Sequence, residues 1–318
     1  SNTSLLVPPP PTELFLMDVT LARDIDDDPG FYLAAGGPKP WAGTLVTRST
    51  DGTTFDLFAA VLSGGEAICG FAQTVLADGT APGLDTVNSV DIVLFNSDFT
   101  LDNKTRIEVL NGANAAVLGD EIIQWQTSSV NSDGSFTLSD LYRARRGSEH
   151  ATAGHVAGER FVVLSSATVQ RIAQDISERN KERSFRASSL GEDPDRAVTI
   201  RFTNTAVGLK PLSAVHITGF RDSLDDIDID WKRRSRIGKA HLPNVVLPLG
   251  EDTELYEIDI LDGVGDVVRT ITNITTTAAN YSATQQIADF GSVQSSVAIE
   301  IFQISAQVGR GFPGKATI

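Results

Sequence analysis

The sequence contains almost no cysteine, and this excludes one class of small extracellular protein. Cys69 is the single cysteine among 318 residues, so the chain cannot form an internal disulfide and is not a disulfide-stapled secreted domain. It lies among small and apolar residues, with no basic neighbour that would lower its pKa. We therefore predict a buried structural thiol rather than a nucleophile.

Positive charge and long apolar runs are also scarce. The chain has 26 Lys and Arg against 41 Asp and Glu, a net charge of −15, which argues against nucleic acid or an anionic membrane as the main partner. No apolar run approaches the roughly 20 residues that span a bilayer, and no cationic segment with a cleavage site opens the chain. We expect a soluble chain without membrane insertion, made in a reducing cytoplasm.

Motifs that carry catalysis or bind cofactors are missing as well. The sequence has no Gly-x-Ser-x-Gly, no phosphate-binding Walker loop and no His-Glu-x-x-His, and it has only four histidines. His150 and His155 are five residues apart without further clustered ligands, which is a poor zinc pattern. We expect no catalytic residue, no metal and no cofactor, and hence a protein that is not an enzyme.

The pattern that is present is that of antiparallel β structure. Short runs rich in Val, Ile, Thr and Phe alternate with Gly, Asn, Asp and Pro, and Asn111-Gly112 and Asp133-Gly134 are strong hairpin signals. The predicted strands of the first half are residues 14–19, 45–48, 54–62, 68–76, 89–95, 105–109, 115–118, 121–127, 135–141 and 159–164.

One segment departs from this pattern, at residues 167–178. Apolar Val169, Ile172, Ala173 and Ile176 follow the spacing i, i+3, i+4, i+7, which predicts one short amphipathic helix. Strands are predicted again at 185–188 and 198–203.

The remaining residues predict a separate β-sandwich. Seven short strands fall within roughly 110 residues, the size and spacing of an immunoglobulin-like sandwich. Without a cysteine pair it would be of the fibronectin type III variety, with Trp231 as its core aromatic. The fold class is therefore mainly β: an antiparallel β-rich part with one short helix, followed by a fibronectin type III-like β-sandwich. The predicted boundaries are a Pro-rich linker at 1–12, a β-rich domain at 13–206 with 13–85 and 86–206 as candidate subdomains, and the sandwich at 207–318.

Two features are candidates for ligand binding. Arg143, Arg145 and Arg146 surround a predicted turn and could grip a phosphate or carboxylate, although pairing with local acids is the simpler interpretation. Trp41 lies in an irregular Gly- and Pro-rich loop, where an aromatic side chain could stack on a ligand or could anchor the loop by packing.

Two acidic stretches are weaker candidates. In an EF-hand calcium loop the sixth position is Gly and the twelfth is Glu. Counted from Asp24, these positions are Pro29 and Ala35, so a solvated loop is predicted for residues 24–30. Asp226, Asp228 and Asp230 alternate along a predicted strand and would form one charged face beside basic residues.

Several segments, taken together, resemble a known family. They are 141–150 (LYRARRGSEH), 155–164 (HVAGERFVVL) and 114–123 (NAAVLGDEII), followed by 185–191, 209–216, 231–238, 248–251, 256–262 and 308–312. Taken in their order along the chain, they resemble the distal, C-terminal part of the tail tip hub, or host-specificity protein, of long-tailed phages and gene transfer agents of alphaproteobacteria. The resemblance spans about residues 86–318, and residues 1–85 carry a weaker likeness.

The resemblance implies a structural component of the virion. Such hubs assemble as trimers at the tail tip, contact other tail proteins and project toward the host surface. It thus implies a homotrimer and a cell-surface receptor, either a glycan or an outer-membrane protein. The alternative is a carbohydrate-active enzyme or glycan-binding module with an appended fibronectin type III domain.

Overall fold

Antiparallel strands make up most of the chain, which the computed structural model describes over residues 8–79, 83–238 and 247–318. The described residues form two compact units. The first contains residues up to Ala22 and Asp28–Gly208, and the second contains Arg23–Asp27 and Leu209–Ile318. Residues 1–7 of the predicted linker and residues 239–246 of the predicted sandwich lie outside the described residues.

The first unit contains fourteen strands and one α-helix within its described residues. They are β1 (Glu13–Met17), β2 (Phe31–Gly36), β3 (Gly43–Ser49), β4 (Asp56–Leu62), β5 (Cys69–Ala72), β6 (Leu84–Asp85), β7 (Val90–Leu94), α1 (Arg106–Leu110), β8 (Ala115–Leu118), β9 (Glu121–Val130), β10 (Phe136–Tyr142), β11 (Arg160–Val163), β12 (Gln170–Ile172), β13 (Glu182–Ser189) and β14 (Thr199–Thr203).

Six of these strands close into an antiparallel barrel. The pairings run β5–β7–β10–β9–β8–β11 and return from β11 to β5, and the short β6 adds to the end of β10. Closure removes free edges from the six paired strands. Gly70 allows β5 and β7 to approach, because a Cβ at this position would meet the Val93 carbonyl oxygen at 1.8 Å.

Alternation along the strands fills the barrel. Inward side chains form one apolar cluster that includes Val90, Ile92, Leu138, Phe161 and the indole of Trp125. Trp125 and Phe161 lie with their ring centroids 5.9 Å apart. The barrel is therefore a packed core rather than a pore.

Two further sheets complete the first unit as layers beside the barrel. The three-stranded sheet β1–β2–β12 is the middle layer, and β14–β13–β3–β4 is the outer one. Along β1, Phe15 and Met17 pack on the barrel wall, whereas Leu14 and Leu16 pack on the outer sheet. Because both faces of β1 and β2 are covered, these strands are almost continuously buried.

The structure corrects three predictions for this unit. Residues 167–178 do not form the predicted helix, because 170–172 pair with β2 as strand β12 and Ile176–Glu178 is a single 3-10 turn. Residues 105–109 are not a strand: Arg106–Leu110 is helix α1, begun by a Thr105–Glu108 capping box. The candidate subdomains 13–85 and 86–206 are not separate, since β5 pairs with β7 and β3 pairs with β13.

The second unit contains eight strands and one α-helix within its described residues. They are β15 (Val215–Arg221), β16 (Ile227–Lys232), β17 (Tyr256–Leu261), β18 (Val267–Ile274), β19 (Ala278–Tyr281), α2 (Ala283–Phe290), β20 (Ala298–Ser305), β21 (Gly309–Arg310) and β22 (Gly314–Thr317).

These strands form a two-sheet sandwich with fibronectin type III-like strand order. One sheet is β15–β16–β19, and the other runs β18–β17–β20, with β21 and β22 on the far side of β20. As predicted, Trp231 is a core aromatic: it is 1% exposed and meets Tyr256 edge to face at 5.2 Å. The mainly β fold class is confirmed.

Among the described residues, no helix has the length and the apolarity that crossing a membrane requires.

Candidate functional site

The predicted arginine cluster lies at one end of the barrel, which we call the charged end. Here β8 turns into β9, β10 finishes at Tyr142, and β11 begins at Arg160. Arg143 follows β10 directly and is 1% exposed. It lies in the barrel rather than on a surface that a ligand could reach.

Arg143 is held by a carboxylate that the sequence analysis did not select. Its Nε donates to both carboxylate oxygens of Glu121 at 3.0 Å, and its Nη2 donates to Oε2 at 2.8 Å. Glu121 has no exposed surface. Arg143 also donates to the Ala77 and Thr152 carbonyl oxygens, each at 3.1 Å. One guanidinium therefore joins the loops at Ala77 and Thr152 to the β8–β9 turn.

His155 extends this buried network to a second glutamate. Its Nε2 lies 3.0 Å from Glu121 Oε2, and its Nδ1 lies 2.7 Å from Glu159 Oε1. The ring stands between the two carboxylates, so both of its nitrogens are engaged. Gly119, at φ +58°, makes room for Glu159, because a Cβ there would meet its Oε2 at 2.3 Å.

The network shifts the pKa values of His155 and Glu121 in opposite directions. Burial alone would lower the pKa of His155, but hydrogen bonds to Glu121 and Glu159 outweigh burial and raise it to about 9. Burial would raise the pKa of Glu121, but hydrogen bonds from His155 and Arg143 hold it below its ordinary value. Near neutral pH His155 and Glu121 are therefore ions of opposite charge in direct contact.

The backbone beside the cluster adopts an unusual conformation. Ala144 and Arg146 have φ values of 55° and 58°, in the left-handed region that non-glycine residues seldom occupy. This turn aims the Ala144 N–H at Glu121 Oε1, 2.6 Å away. The strained turn thus adds a backbone donor to the carboxylate already bound by Arg143.

The three predicted arginines consequently have three different environments. Arg143 is a buried structural ion. Arg145 is partly buried, and its Nε donates to Gln124 Oε1 at 2.6 Å. Arg146 is exposed and donates to the Ala22 carbonyl oxygen at 2.6 Å through Nη2. The structure does not bring them together as one ligand-binding group, because each binds a different part of the first unit.

Trp41, the other candidate ligand-binding residue, lies inside the protein. It is 7% exposed and packs in the apolar cluster between the middle and outer sheets. Its Nε1 donates to Thr12 Oγ1 at 2.9 Å. The side chain anchors its loop, and its ring offers no open face for stacking.

The remaining sequence candidates are the Cys69 thiol and the two acidic stretches. Burial raises the pKa of Cys69 to about 12, with Glu66 and Glu13 adding to the effect, and its prediction as a buried structural thiol is confirmed. In the first acidic stretch Asp26 accepts from Arg23 at 2.8 Å. Asp228 and Asp230 are exposed and alternate with buried Ile227 and Ile229, as predicted, whereas Asp226 is partly buried and precedes the strand. Within the described ranges no group of three or more His, Cys, Asp or Glu could hold a metal ion.

The opposite end of the barrel, which we call the open end, carries a cleft that the sequence analysis did not predict. Its volume is about 420 Å³, and it lies where β8 begins and β11 finishes. Asp102, Asn114 and Ser166 are among its polar lining residues, and Ile68 and Val163 are among its apolar ones. Asn111-Gly112, a predicted hairpin turn, instead follows helix α1 beside the cleft, and the segments 114–123 and 155–164 that carry the family resemblance also contribute lining residues.

The chain is thus built from a closed antiparallel barrel, two packed sheets and a fibronectin type III-like sandwich. Residues 67–162 match the family model described as Rcc01698-like, C-terminal. The matched residues cover less than a third of the chain and coincide with the barrel, which begins at Cys69 and ends at Val163. The match indicates a protein associated with phages or gene transfer agents.

Two other comparisons add little to this similarity. No curated protein matches the chain significantly. Among solved structures, the chain is similar to the crystal structure of chicken CNTN1 FN1-FN3 domains, with 9% identity, 98% of this chain and 97% of that chain covered, and a TM-score of 0.23. The fibronectin type III-like assignment of the second unit rests on its own strand pairing.

Proposed function

We propose that this chain is the distal portion of the tail tip hub of a phage or gene transfer agent and that it contributes to host recognition and attachment. The observation that carries the proposal is the family match at residues 67–162, which coincides with the closed barrel. The motifs that resemble tail tip hub proteins extend this similarity toward the C-terminus.

A role in contact rather than catalysis fits the described side chains. At the charged end, the groups that could act as acid or base are committed to one another: Glu121 is fully buried and both ring nitrogens of His155 face glutamates. A catalytic group must reach a substrate. We therefore propose that the chain is not an enzyme.

The proposed role at the tail tip implies the partners of the chain and its location. We propose that the chain forms a homotrimer in the particle, contacts other tail proteins, and binds a glycan or an outer-membrane protein of the host. It would be made in the cytoplasm of the bacterial host and would end at the virion tail tip. Closed and layered β structure suits such a part, because it keeps its shape without disulfides.

Immunogold electron microscopy of purified particles tests this proposal. Antibodies raised against the purified chain should label the tail tip, and preabsorption with the same chain should remove the label. Label on the capsid, or absence of the chain from purified particles, would overturn the proposal. Release of reducing sugar from host envelope by the purified chain would favour the carbohydrate-active enzyme instead.

A further inference from the structure

The open-end cleft has a lining rich in hydrogen-bond acceptors. Its polar side chains are Thr100, Asp102, Asn114, Ser165 and Ser166. They provide a carboxylate, an amide and three hydroxyls, whereas no Lys, Arg or His is among the described lining residues. Such a lining accepts hydrogen bonds from the hydroxyl groups of a ligand.

Asn114 is held in place before any ligand arrives, and Thr100 Oγ1 donates to Asp102 Oδ1 at 3.2 Å. Asn114, at φ 54°, donates through Nδ2 to the Asp102 carbonyl oxygen at 2.8 Å and to the Trp125 carbonyl oxygen at 3.0 Å. Both amide hydrogens are thereby committed, and the side-chain carbonyl oxygen is left as an acceptor. Trp125 Nε1 also donates to the Asp102 carbonyl oxygen, at 3.2 Å. Fixed groups lower the entropic cost of binding.

Apolar side chains also line the cleft. Partly buried Ile68 and Val163 line the cleft and pack against the barrel core, next to buried Leu101. A ligand that combines C–H surface with hydroxyl groups satisfies both parts of the lining. The volume of about 420 Å³ lies within the range of roughly 300–1,000 Å³ that small-molecule sites occupy.

Charge selects among ligands of this kind. The only ionic side chain in the described lining is the Asp102 carboxylate, and the net charge of the chain is −15. An anionic ligand would meet a repulsive field. A neutral polyhydroxyl ligand would not.

We propose that the open-end cleft binds a neutral saccharide residue, with Asp102 and Asn114 as hydrogen-bond acceptors and Ile68 and Val163 beneath its C–H face. The biological meaning of this binding rests on the proposed function, in which the saccharide belongs to a glycan of the host envelope. The binding itself is a property of the purified chain and is measured without particles.

Saturation-transfer NMR on the purified full chain tests this inference. The probes are methyl glucoside, methyl galactoside, methyl mannoside and N-acetylglucosamine, with glucuronate as the anionic counterpart. At least one neutral probe should receive saturation, and glucuronate should not. Asp102→Asn should weaken binding by about tenfold, because it removes a charge-assisted acceptor.

A pair of tryptophan substitutions identifies the cleft as the site. Ser166→Trp fills the cleft and should abolish saturation transfer, whereas Ser129→Trp places the same side chain on an exposed position of β9 and should leave it unchanged. Saturation of none of the neutral probes would overturn the inference, as would binding that survives Ser166→Trp or binding of glucuronate alone.

The two proposals fail separately. Tail-tip label together with no saccharide binding would remove only the cleft inference. Cleft-dependent binding by a chain absent from particles would remove only the tail assignment.

Discussion

The two ends of the barrel differ in what occupies the space between their loops. At the charged end, Arg143, Glu121 and His155 fill the space between the loops with buried ions. At the open end, Asn114 holds neighbouring backbone by neutral hydrogen bonds and leaves a cleft. The same six strands run between both ends. The difference therefore lies in the loops.

The comparison teaches where the barrel can tolerate change. Removing one partner of a buried ion pair strongly destabilises the fold, because the other charge is left buried and uncompensated. Neutral hydrogen bonds at a solvated edge contribute less, since water replaces a lost partner. We expect the charged end to determine stability and the open end to remain available for binding.

Glu121→Gln should have the largest effect. It leaves Arg143 and His155 without their shared carboxylate, and we expect a loss of about 3–5 kcal/mol of unfolding free energy. Urea dependence of hydrogen exchange in β9 and β10, followed by mass spectrometry, measures it. The matched control is neighbouring Asp120→Asn. The Asp120 carboxylate is exposed where it pairs with the partly buried Arg160, so this pair should contribute at most about 1 kcal/mol. Equal effects of the two substitutions would contradict the distinction between the buried ions of the charged end and the exposed ion pair beside them.

The charged end should also make stability depend on pH. The pKa of His155 is raised from 6.5 to about 9 in the folded state, so its contribution is full below pH 6.5 and is lost as pH rises through 9. The lowered pKa of Glu121 gives a contribution that is present above its ordinary pKa and is lost in acid.

We expect a decline of about 2 kcal/mol between pH 6.5 and 9. Urea unfolding in a pH series measures it, and His155→Gln should flatten that decline. An unchanged slope in the variant would assign the pH dependence to other groups.

At the open end Asn114→Ala should lower the unfolding free energy by a smaller amount, about 1.5 kcal/mol. It removes two hydrogen bonds and leaves a Cβ at positive φ without the side chain that tolerates it. Asn114→Gly loses the same hydrogen bonds but accepts this φ, so it should be less destabilising than alanine. Thermal unfolding of both variants measures which one is less stable. If Asn114→Gly is the less stable variant, the positive φ at position 114 does not determine the loss.

The smallest effects on stability should come from the cleft itself. Asp102→Asn and Ser166→Trp alter exposed side chains, and each should change unfolding free energy by within about 0.5 kcal/mol. Thermal unfolding next to the binding measurement checks this. A larger loss in Ser166→Trp would mean that the cleft is part of the packed core.

Much of the β architecture was predictable because alternation and turn residues act locally. Residues 115–118 are a strand as predicted, and Trp231 is in the core of the sandwich. The fully buried β2 was missed because its FYLAAG sequence does not alternate: both of its faces are covered, so no polar side is required.

The helices were predicted wrongly for a different reason: tertiary pairing overrode the local apolar spacing, and capping signals were not used. At 167–178 the helical spacing of apolar residues was overridden by pairing with β2, where Arg171 lies over the Tyr32 ring at 4.7 Å. The helices that do form carried capping signals, Thr105 with Glu108 and Ser282 with Gln285, that could have revealed them.

The candidate sites were harder to predict, because their members are distant in sequence. Arg143 was recognised as distinctive, but its partner Glu121 precedes it by 22 residues across a hairpin. Its burial depends on barrel closure, which no local pattern shows. The cleft combines loops whose proximity also follows only from closure.

The double burial of β1 and β2 limits how the barrel can be exchanged between proteins. The matched segment 67–162 is a unit of similarity, but its wall residues Val117, Ile122 and Val162 are covered by side chains from 15–34. A chain that acquires the barrel must also acquire these two strands, or present an equivalent apolar face of its own. The matched segment therefore depends for its packing on residues that lie outside the match.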